Sequence, residues 1–133
     1  MKPSLKMYVL VRKELDETYR NVQGGHASIE YTLRYRNTLS FREWYKDPYL
    51  IHLGVRFQSD IIEWSNKLKE LNIDHYIWKE PDLDNQPTAI ACIDTGEIFK
   101  NLPLAWLLAL VPEWLKGRSL KPLFESSSLS ERA

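Results

Sequence analysis

Met7–Val11 (MYVLV) is a continuous apolar run of β-forming residues, the pattern of a strand covered on both faces. Residues 14–18 (ELDET) are polar and read as a connection. From Tyr19 the period changes. Tyr19, Val22, His26, Ile29 and Leu33 recur at helical spacing and predict one apolar helix face. Gly24 and Gly25 fall inside that helix, where each costs about 1 kcal/mol relative to Ala. Close approach of another backbone or of a ligand is the usual compensation.

A polar-aromatic stretch, 38–48, follows, and Ser40 with Glu43 offers a capping box for a short helix. Tyr49–Val55 (YLIHLGV) is the second predicted strand. The next helix starts at Ser59 or Asp60, with Asp60 and Glu63 spaced as a box and Ile61, Trp64, Leu68 and Leu71 as its apolar stripe. Ile73–Lys79 (IDHYIWK) alternates in part and reads as a strand. Glu80–Pro87 is a turn-rich acidic loop, and Thr88–Ile93 (TAIACI) is a small-residue buried strand. Strands interleaved with helices predict an α/β layered domain with a mostly parallel or mixed sheet. The short loop between the last two strands also allows an antiparallel pair. Asn101-Leu-Pro103 is expected to open a very apolar helix over 101–116. The chain divides as one domain over 1–118 and a Ser-rich polar tail over 119–133, whose composition predicts disorder.

Composition narrows the function classes. The 133 residues fit one domain. Lys+Arg and Asp+Glu both total 18, so any contact with RNA must come from a local patch rather than a basic coat. The single Cys92, expected to be buried and inert, excludes an internal disulfide framework and a cysteine-rich zinc site. The longest apolar run, Leu104–Val111, is far short of the ~20 residues of a membrane span. The N-terminus lacks the apolar core of a secretory signal. These features predict a protein of the cytoplasm.

Two regions carry candidate chemistry. Glu80, Asp82 and Asp84 crowd one loop, and no Lys or Arg occurs from Glu80 to Phe99. Carboxylates this close raise one another's pKa where partly buried, one route to a general base; an acidic surface turn is the plainer alternative. Between Thr18 and Lys46 stand five basic and two acidic residues, including Arg20, Arg34 and Arg36. Such a stripe suits phosphate binding or is merely a solvated face. His26 reads as a core histidine on the apolar stripe. The histidines show no ligand spacing, so no metal site is expected.

Val11-Arg12-Lys13-Glu14-Leu15, then Val22-Gln23-Gly24-Gly25-His26-Ala27, resembles the opening of the peptidyl-tRNA hydrolases of the archaeal and eukaryotic type. Ile77-Trp-Lys-Glu80-Pro-Asp82, with Asn85, Pro87 and Thr88-Ala-Ile-Ala, is similar to that family's later loop and last strand. The likeness covers about residues 5–95. It implies a four-stranded mixed sheet with helices on both faces. It also implies hydrolysis of the ester joining a peptide to the terminal ribose of tRNA, with neither metal nor cofactor.

The family's lysine, four residues before the glutamine, falls at Tyr19, with Arg20 beside it. Its loop aspartate falls at Glu80, near Asp82, and Thr88 is the nearest threonine. The resemblance thus implies Arg20, Glu80 and Asp82 as the catalytic set, Arg20 acting electrostatically because arginine does not exchange a proton at neutral pH. It implies Arg12, Tyr19, Gln23, His26, Asn85 and Thr88 on the substrate side, with His26 bracing the helix. The alternative reading is a tRNA-binding or protein-interaction module on the same fold, with a homodimer contact through 101–116.

Overall fold

The structure, a computed structural model, describes residues 4–105. It contains β1 (Lys6–Arg12), α1 (Glu17–Tyr35), α2 (Leu39–Tyr45), β2 (Leu50–Val55), α3 (Gln58–Glu70), β3 (His75–Glu80) and β4 (Gln86–Asp94). The four strands form one sheet in the order β2-β1-β4-β3. Only β1 and β2 run parallel; β1–β4 and β3–β4 are antiparallel, so the sheet is mixed. This agrees with the hydropathy. The central strands β1 and β4 are buried almost end to end and read as continuous apolar runs, whereas the edge strands β2 and β3 are only partly covered.

Each sheet face carries its own core. On one side Met7, Val9, Val11, Ala89, Ala91 and Ile93 pack with Ala27 and Tyr31 of α1. On the other, Leu10, Leu53, Val55 and Ile90 pack with Ile61 and Leu68 of α3 and with Phe99. The predicted stripe of α3 thus holds at Ile61 and Leu68, both fully buried, but Leu71 is exposed.

The predicted face of α1 is not the one that meets the sheet. Its buried residues are Arg20, Gln23, Gly24, Ala27 and Tyr31, while Val22, Ile29 and Leu33 are exposed. Small side chains let the helix lie close to the sheet. A Cβ on Gly24 would sit 3.2 Å from Val9 Cγ1 and 3.4 Å from His52 Nε2, whereas one on Gly25 would meet nothing within 4 Å. Close approach therefore accounts for Gly24 and leaves Gly25 unexplained.

The caps also differ from expectation. Thr38, not Ser40, accepts the Phe41 N–H at the start of α2. Asp60 accepts the Phe57 N–H, placing it in the first turn of α3 rather than at its cap. Residues 101–105 do not open a helix. Leu104 instead bridges Leu53 in antiparallel fashion along the free edge of β2. The rest of the predicted helix and the polar tail lie outside the described residues. No helix among the described residues is long and apolar enough to cross a membrane.

Gly25→Ala is expected to raise stability by about 0.5–1 kcal/mol, the usual gain at an unstrained helical glycine. Gly24→Ala is expected to fall short of that gain because Val9 and His52 must give way. Urea unfolding of the two variants measures the difference.

Candidate active site

β1 and β3 end, and β4 begins, at one end of the sheet. There the hairpin that joins β3 to β4 meets the first half of α1. Its turn is shaped by Pro81 and by Asp84 and Asn85, both in the left-handed region that Asp and Asn tolerate best among non-glycine residues. The Asn85 N–H closes it on the Glu80 carbonyl at 2.9 Å. Asp82 and Asp84 stay exposed, but Glu80 is turned inward and is only 7 % exposed.

Alternation along β3 brings Tyr76, Trp78 and Glu80 to the α1 side. On β4 the pairing slips, with Trp78 opposite Ala89 but Lys79 opposite Pro87. Thr88 is the extra residue, and such bulges re-aim a side chain. Its hydroxyl donates to Gln23 Oε1 at 2.5 Å, and Gln23 Nε2 donates to Glu80 Oε1 at 2.8 Å. A carboxylate only accepts, so the glutamine must turn its amide nitrogen to Glu80 and its oxygen to Thr88. Gln23 and Thr88 are wholly buried, and an unpaired amide there would cost several kcal/mol.

The second oxygen of Glu80 accepts the Asp82 N–H at 3.3 Å. The Gln23 hydrogen bond is the main reason the Glu80 carboxyl lies below its ordinary value. Burial opposes it, while the Asp82 N–H, the nearby Trp78 indole and His26 add to the lowering. The expected mutual raising of pKa by crowded carboxylates is therefore reversed at Glu80. Its hydrogen-bond donors outweigh the cost of its burial. The Trp78 indole N–H is buried beside Glu80 but outside hydrogen-bond geometry, and its ring stacks on His26 at 4.2 Å and 10°. Trp78 had a sequence signal in sharing the alternate face of β3 with Glu80.

The other candidates distribute as follows. Tyr19, one turn before Gln23, is half-buried, and its phenol pKa is raised by desolvation and then by Glu80, Asp82 and Asp16. Arg20 points elsewhere. Its guanidinium donates to the Lys13 carbonyl at 3.2 Å and lines a small pocket with His52 and Ala105. Arg12 pairs with Glu14 and donates to Gln86 Oε1 at 3.0 Å, joining the end of β1 to the start of β4. Asn85 is exposed at the rim. Cys92 is buried, and burial raises its thiol pKa, away from the reactive thiolate. Among the described residues no three His, Cys, Asp or Glu side chains gather as metal ligands.

Because the folded pKa of Glu80 lies below the unfolded value of 4.5, its ionisation adds stability above that value. This contribution is lost as pH falls through the folded pKa. Gln23→Leu, which removes the main donor, is expected to cost about 1–3 kcal/mol at pH 7. The deficit should shrink below pH 4, as followed by urea unfolding at both pH values.

No curated protein matches the chain. The family model described as Peptidyl-tRNA hydrolase PTH2 matches residues 5–100, a span holding every strand and helix labelled above and the whole Thr88–Gln23–Glu80 chain. The protein therefore belongs to the peptidyl-tRNA hydrolase family of the archaeal and eukaryotic type, esterases that act on peptidyl-tRNA.

Proposed function

We propose that Glu80 is the group that orients the attacking water. The observation that carries this reading is the hydrogen-bonded chain from Thr88 through Gln23 to Glu80, which holds an ionised carboxylate between the end of β3 and α1. A lowered pKa makes Glu80 a weak base at rest. Its charge aligns a water and accepts the water's proton as the tetrahedral intermediate forms. The water oxygen bonds to the ester carbonyl carbon, the bond from that carbon to the ribose oxygen breaks, and the ribose oxygen needs a proton.

Tyr19 is the proposed donor of that proton. Its raised pKa keeps the phenol protonated at neutral pH, and it occupies the helical position one turn before Gln23. The Asp82 carboxylate, exposed on the hairpin, supports the same raised pKa. Gln23 and Thr88 act as positioning residues, since their hydrogen bonds point to each other and to Glu80. The His26–Trp78 stack braces α1 against β3, and Asn85 meets substrate at the rim. Arg20, held by the Lys13 carbonyl, secures the start of α1. A substrate carried on tRNA supports a proposed place in the cytoplasm. The folded unit is proposed to span 1–118. A homodimer through 101–116 stays a proposal, resting on sequence beyond Ala105.

Release of peptide from N-blocked aminoacyl-tRNA tests the assignment. Glu80→Ala is expected to lower kcat about 10²-fold or more, and Tyr19→Phe by about 10²-fold if the phenol is the acid. Arg20→Ala should leave kcat close to the parent value in preparations that fold. Full turnover by Glu80→Ala would remove the site assignment, and a large kcat loss in folded Arg20→Ala would return Arg20 to it.

A further inference from the structure

A second charged site lies at the end of the sheet that carries Glu80. β1 and β2 run parallel and finish there side by side, and the residues that follow them are Lys13 and Arg56. Glu80 closes β3 at the same end, three strands across from β2. With strands about 4.8 Å apart, Lys13 and Arg56 stand roughly 10–15 Å from Glu80. Among the described residues neither side chain has an ion pair or a hydrogen bond. By contrast Arg12 is paired with Glu14, Arg20 with the Lys13 carbonyl and Lys100 with Glu97.

The chain builds a cavity of about 340 Å³ around these two cations, within the size range of small-ligand sites. Gly54, buried in β2, is its floor. A Cβ there would meet Lys13 Cγ at 2.7 Å, so the missing side chain lets the lysine stem lie across the strand. The Lys13 N–H donates to the Val55 carbonyl at 2.7 Å and fixes the root of that stem. The opposite wall is residues 101–103, tied to the floor by the Gly54 N–H, which donates to the Pro103 carbonyl at 2.8 Å. Asp60 is the one carboxylate in the lining, and its Oδ2 already accepts the Phe57 N–H at 2.9 Å. Two positive charges therefore face one negative charge that is partly engaged. Lys and Arg make charge-assisted hydrogen bonds to a phosphate. The second Asp60 oxygen calls for a donor that a phosphodiester lacks and a ribose hydroxyl supplies.

We infer that this cavity takes one nucleotide of the tRNA strand that ends in the scissile ester. The phosphate sits between Lys13 and Arg56, and the ribose hydroxyl donates to Asp60. Contacts of this kind position a strand without reading its sequence. The site then fixes the tRNA at one side of the sheet end while the ester reaches Glu80 at the other. The inference rests on tRNA as the substrate of the family, and its binding test does not depend on the roles proposed for Glu80 and Tyr19.

The affinity of the full chain for uncharged tRNA, followed by fluorescence anisotropy over a series of salt concentrations, tests the site. Lys13→Gln and Arg56→Gln are each expected to weaken binding about 10-fold. Each should also lower the slope of log Kd against log salt by about 1. Lys69→Gln, which removes an exposed cation near the other end of α3, should change neither. In peptide release from N-blocked aminoacyl-tRNA, both site variants should raise KM and leave kcat near the parent value, unlike Glu80→Ala. A parent chain that binds tRNA through this site but releases no peptide removes the catalytic assignment alone. Unchanged tRNA affinity in the two folded site variants overturns the inference, even where inorganic phosphate occupies the cavity. Equal weakening by Lys69→Gln, the mark of diffuse attraction, overturns it as well.

Discussion

The architecture of this protein turns on one buried glutamine. Gln23, wholly buried, sits between a threonine hydroxyl and a carboxylate, so both partners must be present for its amide to be tolerated. That requirement fixes the rotation of α1 about its own axis and its height over the sheet. It also needs the bulge in β4, because only the extra residue in that strand brings the Thr88 hydroxyl to the α1 side.

The rest of α1 follows from this. A helix that presents Gln23 to the sheet also presents Gly24 and Ala27, and these small residues allow close contact with Val9 and the alanines of β4. The larger apolar residues Val22, Ile29 and Leu33 are then left on the outside. The outward apolar row and the inward polar residue are two aspects of one helix orientation. The first leaves an exposed apolar row, and the second holds Glu80 in the proposed active site.

For an esterase acting on peptidyl-tRNA, the value of this arrangement is rigidity. The carboxylate is held by three elements: its own strand, the turn through the Asp82 N–H, and α1 through Gln23. The ionised Glu80, its pKa held low chiefly by Gln23, aligns the attacking water in the proposed mechanism. In the proposed mechanism the stronger acid–base work passes to the substrate water and to the phenol of Tyr19. This division suits a site where Tyr19 stands in the lysine position and Arg20 is committed to the Lys13 carbonyl.

Local and periodic features were legible in the residues alone. The continuous apolar runs at β1 and β4, the stripe of α3 through Ile61 and Leu68, and the Gln-x-x-His-Ala segment all express physics within a few residues of themselves. They were enough for the layered α/β class and for the family. The inward face of α1 was not legible, because hydrophobic periodicity assumes that the apolar side is the buried side, and here hydrogen bonds to residues 57 and 65 positions away outweigh it. For the same reason only the folded chain separates Tyr19 from Arg20: neighbours in sequence, they point to different strands. The path of residues 103–105 beside β2 was likewise decided by the free edge of that strand, whose unpaired backbone groups a chain segment can satisfy and whose position no local pattern encodes.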